Sequence, residues 1–153
     1  MERIFGRCWA FWSSVPNAMT TGAHIFRPML VVDGAPAEMF PMAVTAEVMA
    51  RGQERFNVFC SPCHGRTGQG NGMIVQRGFR QPPSFHDQRL VDAPVGYYFD
   101  VMTNGFGAMQ DYRSQVPVAD RWAIAAYIRA LQASRRGTID DVPADQRGAL
   151  EAQ

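Results

Sequence analysis

From Thr45 onward the apolar positions fall into a helical rhythm. Val48, Gly52, Phe56 and Phe59 recur at i, i+4, i+8 and i+11, one stripe of a helix. Thr45 is suited to cap that helix and Glu47 complements its first turn, and the helix runs directly into Cys60. Residues 65–91 are rich in Gly, Pro and Arg and read mostly as loop. A second helix is predicted over about Ala93 to Thr103, capped by Asp92, with Pro94 in its first turn and Asn104-Gly105 at its end. A glycine-containing loop follows, Gly105-Phe106-Gly107-Ala108-Met109. Pro117 then opens the strongest helix, with Ile124, Tyr127, Ile128 and Leu131 on one face. Phe56 and Gly52 on the first helix and Tyr127 on the last are what a close helix crossing needs, a small residue for approach and rings beside it.

The two ends lack this order. Residues 1–44 carry Pro16, Pro28, Pro36 and Pro41 and no sustained period, so they read as an extended arm. Short apolar pieces such as Met29-Leu30-Val31-Val32 do not amount to a core of their own. Arg3 and Arg7 ahead of Cys8-Trp9-Ala10-Phe11-Trp12 faintly resemble a leader, but the apolar run is short and broken. Beyond Ser134 the chain turns polar and reads as a tail, with a short turn of helix expected after Pro143. There is no internal repeat.

Composition narrows the class. With 153 residues, 46% hydrophobic and 19% charged, the chain has the balance of one globular domain with extensions. No run approaches the roughly 20 apolar residues that a membrane-spanning helix needs. A net charge of +1 argues against nucleic acid as a partner. All fifteen basic residues are Arg, so any cationic face is built from guanidinium groups.

The chemistry sits at Cys60-Ser61-Pro62-Cys63-His64. Three cysteines, two of them spaced by two residues, make a poor disulfide framework. A Cys-x-x-Cys pair alone fits a redox dithiol, half a zinc site or haem attachment. The histidine directly after it selects haem. Two thiols at this spacing reach neighbouring vinyl groups as thioethers, and the next side chain, His64, falls below the iron as proximal ligand. A zinc site would require a second ligand pair, which the sequence does not supply at a suitable spacing.

For the sixth ligand, Met109 is favoured among nine methionines and two further histidines. Gly105 and Gly107 give its loop the freedom to approach a flat ring, and a thioether raises the potential as an electron carrier requires. The plainer alternative is that Met109 fills the core. Met102, on a face with Tyr98 and Val101, reads as core, and Met73 as a loop residue near a haem edge. His86 competes for bis-histidine ligation, although a hydrogen-bonding role suits it better; His24 lies in the arm. Trp122 is assigned to packing. Arg77, Arg80 and Arg89 are each either solvated or paired with a haem propionate.

Together the Gly/Phe helix, the Cys-x-x-Cys-His, the Met in a Gly loop and the C-terminal helix with Tyr resemble the single-haem cytochrome c family over about residues 45–133. Longer strings sharpen this: Arg51-Gly52-Gln53-Glu54-Arg55-Phe56, Gly72-Met73-Ile74-Val75-Gln76-Arg77-Gly78-Phe79, Thr103-Asn104-Gly105-Phe106-Gly107-Ala108-Met109 and Asp120-Arg121-Trp122-Ala123-Ile124. They are similar to the monohaem cytochrome c subunit of alternative complex III, a quinol:electron-acceptor oxidoreductase of bacterial membranes. The resemblance implies an all-α, cytochrome c-like small helical domain around one covalent haem c, with an extended arm (1–44), the domain (45–133) and a polar tail (134–153). It implies a hydrogen bond from the free ring nitrogen of His64 to the carbonyl of Pro82 or Pro83. It implies electron transfer without catalysis by the chain alone, multihaem cytochrome and iron–sulfur subunits as partners, and a soluble cytochrome or terminal oxidase as acceptor. The expected location is the periplasmic side of the inner membrane, with the arm wrapping partner subunits. Two departures stand out. Gln110 follows the ligand methionine where the family has Pro, and Phe5-Gly6-Arg7-Cys8 is a poor lipid-acylation site. The competing functions are a free or tethered cytochrome shuttling electrons between complexes, a haem sensor or peroxidase with an open sixth position, and a purely structural haem.

Overall fold

The computed structural model describes residues 31–32 and 35–151. The readings made on Arg3, Arg7, the Cys8 segment, Pro16, His24, Pro28 and Met29-Leu30 lie outside these residues. The described chain is mostly helical. A two-residue antiparallel pair comes first, β1 (Val31–Val32) and β2 (Ala35–Pro36), with Val31 opposite Pro36 and Val32 opposite Ala35. Then follow α1 (Ala46–Phe59), α2 (Ser61–His64), α3 (Gln88–Val91), α4 (Val95–Asn104), α5 (Val118–Ser134) and α6 (Ala144–Glu151). Single 3₁₀ turns lie at Val75–Arg77 and Ile139–Asp141. No helix among the described residues is long and apolar enough to cross a membrane.

The frame is the crossing of α1 and α5. Thr45 caps α1 as expected, its hydroxyl accepting from the Val48 amide at 3.2 Å. Gly52 then faces the α5 backbone so closely that a Cβ there would sit 2.1 Å from the Ala123 carbonyl oxygen. One turn further on, Phe56 is fully buried and meets Tyr127 edge-on at 5.3 Å. Arg51 locks the same crossing from its rim, its Nε and Nη2 donating to the two carboxylate oxygens of Asp120 at 2.9 and 2.8 Å. This two-pronged geometry adds orientation as well as attraction.

Behind the crossing, Trp122, Phe56, Ile124, Gln132 and Val116 are fully buried. Phe99 of α4 stacks on Trp122 at 4.4 Å, and Phe40 approaches the same indole edge-on at 6.2 Å. Ala37 is buried, and its carbonyl accepts from the Gly96 amide at 2.8 Å. Ala37 and Phe40 therefore pack on α4 and α5 of their own chain.

One helix start differs from expectation. α4 begins at Val95 with Pro94 at its cap, and Asp92 instead closes the short helix α3. The cause is local: Ala93 precedes a proline, and the proline ring pushes the preceding residue out of helical conformation. The loop expected at 65–91 holds two single turns, and the helical turn after Pro143 extends to the eight residues of α6.

The Gly52 contact is rigid backbone on one side, so Gly52→Ala should cost about 2–3 kcal/mol by overpacking. Thermal unfolding should record this as a fall in Tm on the order of 10 °C.

Candidate haem site

α1 ends where the chemistry begins. Cys60 continues the helical ladder, its amide donating to Phe56 O at 2.9 Å, and then bends into the single turn of α2. Pro62 suits the first turn of that helix, where its missing N–H is not needed. The His64 amide bonds back to Cys60 O at 2.9 Å, so both cysteines and the histidine are carried on one turn. The loop that follows folds back over the motif: the amides of Gly70, Gly72 and Ile74 donate to His64 O, Cys63 O and Pro62 O at 2.8, 2.9 and 3.1 Å. Gly72 must be glycine here, because a Cβ would lie 2.2 Å from the Pro62 oxygen.

The local electrostatics favour neutral groups. Burial, with Cys63 beside it, pushes the Cys60 thiol up to about 12, and burial also raises Cys63. A dithiol redox centre works through a thiolate of lowered pKa, so this environment is wrong for one. Burial lowers His64 to about 4, leaving its imidazole uncharged at neutral pH, the form that ligates metals. Tyr112 lies close by, its hydroxyl raised by burial and by the two cysteines, and it meets Phe59 edge-on at 6.4 Å. Among the described residues no three His, Cys, Asp or Glu side chains are grouped to hold a metal ion between them.

The His64 ring stacks on Phe85, with centroids 4.5 Å apart and planes 13° from parallel. Its Nδ1 is buried without a hydrogen-bond partner, so the bond expected to Pro82 or Pro83 is not formed.

Met109 sits on a hairpin in which the Phe106 and Met109 amides and carbonyls exchange two hydrogen bonds of 3.0 Å. Gly105 and Gly107 have φ of 77° and 58°, the left-handed region that glycine enters without strain. Met109 is half-buried and packs on the same apolar cluster as Cys60, Phe59 and Tyr112. Met102 is buried in the core as read, whereas Met73 is 54% exposed. His86 is a hydrogen-bonding residue, its Nε2 lying 2.8 Å from Thr67 O. Trp122 is core, and Arg77, Arg80 and Arg89 are exposed.

Two free thiols on one turn, an uncharged imidazole with an unpartnered nitrogen, and an apolar wall suit a covalently held haem. Sequence reasoning missed Phe85, Tyr112 and Gln132 as parts of this wall and its support. Gln132 did carry a signal: it falls four residues after Ile128, a polar residue on the buried face of α5.

Gly72→Ala is expected to force the 65–74 loop off the Cys-x-x-Cys-His turn. Haem-stained yield and Tm should both fall, by about 3 kcal/mol of stability, while Gly148→Ala, with open space around it, leaves both unchanged.

Residues 47–128, more than half of the chain, match the sequence family described as Cytochrome C oxidase, cbb3-type, subunit III. No curated protein matches the chain. Among solved structures, a chain of the Kuenenia stuttgartiensis reducing HAO-like protein complex is similar at 19% identity with a TM-score of 0.51, over 63% of this chain and 50% of that one. This chain thus spans about half the length of that solved chain, and the likeness is one of fold.

Proposed function

The chain belongs to the cytochrome c oxidase, cbb3-type, subunit III family, and from that premise we propose that it is the monohaem electron-exit subunit of a membrane-bound quinol:acceptor oxidoreductase of the alternative complex III kind. A cytochrome c domain implies electron transfer and a covalent haem c. The haem supplies a one-electron iron couple when bound. Cys60 and Cys63 would hold it through thioethers, and His64 and Met109 would ligate its iron. The carrying observation is that Cys60 of the Cys-x-x-Cys-His segment and Met109 of the glycine-hinged hairpin both pack against the domain's apolar core.

Each residue has a physical task. His64 stays uncharged through burial and keeps a lone pair for ligation. Met109 offers a thioether, which favours the reduced state and raises the potential. Phe59, Phe85 and Tyr112 give the site apolar neighbours, and an apolar surround also tunes potential. The proposed place of work is the periplasmic face of a bacterial inner membrane. The proposed partners are multihaem and iron–sulfur subunits on the donor side and a soluble cytochrome or terminal oxidase on the acceptor side. The solved neighbour is named as a protein complex, which is in keeping with such partners.

A free or tethered cytochrome is the second reading, and one observation favours it. Ala37 and Phe40 pack on this chain's own helices, so that part of the arm is not available to wrap a partner.

Methionine ligation should give the oxidised protein a weak near-infrared charge-transfer band, lost in Met109→Ala together with a lowered potential. A band that survives the substitution refutes the assignment, and rapid carbon monoxide binding by the reduced wild-type protein would indicate an open sixth position. Purification from solubilised membranes should bring down other haem and iron–sulfur subunits. Elution alone would favour the free carrier.

A further inference from the structure

Phe85 is held from three sides. Its amide donates to Gly68 O at 2.8 Å, its carbonyl accepts from Gln132 Nε2 at 2.7 Å, and its ring meets Phe56 and Tyr98 at 6.1 and 6.2 Å. The remaining side of the ring carries the imidazole of His64, stacked nearly parallel to it at 4.5 Å.

Gln132 is itself without freedom. It is 1% exposed, and its amide is fully engaged. Nε2 donates to the Phe85 carbonyl and to the Tyr98 hydroxyl, the latter at 2.8 Å, while Oε1 accepts from Arg129 Nη1 at 2.8 Å. The Tyr98 hydroxyl donates to Leu90 O, and Arg129 also donates to the carbonyls of Val91 and Ala93. The direction of every bond in this chain is set, so the amide has one orientation. A buried polar side chain on a helix face that otherwise packs apolar residues needs such satisfaction to be tolerated.

We infer that Gln132 is a positioning residue for the proximal imidazole: it clamps Phe85 from the C-terminal helix, and the stacked Phe85 ring sets the plane in which His64 meets the iron. This rests on the reading of His64 as haem ligand. The usual device for fixing a ligating histidine is a hydrogen bond from its other ring nitrogen. Here Nδ1 has no partner, and the stack stands in its place. The plane of an axial imidazole governs how unpaired spin is distributed over the haem edges in the oxidised state, so the clamp has an electronic consequence that stability alone does not produce.

Proton NMR of the oxidised, haem-loaded protein reads this through the paramagnetically shifted haem methyl signals. In Gln132→Leu and in Phe85→Leu the spread and order of those signals should change. In Ile124→Val, a fully buried core substitution two turns of α5 away from Gln132, Tm should fall with the wild-type pattern retained. A wild-type methyl pattern in Gln132→Leu overturns the inference. If that variant yields no folded protein, Phe85→Leu decides, since a wild-type pattern there removes the stack from the mechanism. A wild-type chain that carries no covalent haem overturns the haem reading and this inference with it.

Discussion

The backbone contact between Gly52 and Ala123 is what the remaining architecture depends on. With no side chain between them, α1 and α5 approach closely enough for Phe56 and Tyr127 to close the crossing edge-to-face. Arg51 and Asp120 fix the rotation of one helix on the other. The end of α1 is thereby placed, and with it the Cys60–His64 turn that continues it. The far end of α5 is placed by the same crossing, which puts Gln132 within reach of the segment carrying Phe85. One small residue thus governs both the site and its support.

The site is made from loops that are ordered by backbone hydrogen bonds. The segment after His64 returns three amides to the carbonyls of the motif itself. Met109 is presented by a two-bond hairpin whose glycines take left-handed conformations. Such loops have little apolar area of their own, and their order comes from close backbone approach. The result is a neutral setting, in which a thiol at about 12 and an imidazole at about 4 are both uncharged at physiological pH. That setting suits covalent haem and disfavours thiolate chemistry.

Buried polar groups divide the labour with the apolar core. Arg129, Gln132 and Tyr98 tie α5 to the carbonyls around α3, where the chain has no long helix to bury. Arg121 lies over the Phe99 ring, 4.6 Å from its centroid, and bonds to Thr103 near the end of α4. A cation there is favoured by the negative end of the helix. These groups turn a small apolar core into a specific one.

Much was legible before any coordinates. The 3.6-residue stripe in α1, the crossing of Gly52, Phe56 and Tyr127, the cap at Thr45 and the core roles of Met102 and Trp122 are local patterns with one physical solution. That Cys60, Cys63 and His64 share one turn is legible for the same reason, since they are neighbours in the chain. The start of α4 was misread because Asp92 has the chemistry of a cap, while Pro94 has the veto. Phe85 as the partner of His64, Gln132 as the clamp on Phe85, and Phe40 as packing for Trp122 were decided only by tertiary structure. Those contacts join residues dozens of positions apart, and a hydrogen bond or a ring stack at such separation leaves no period in the chain.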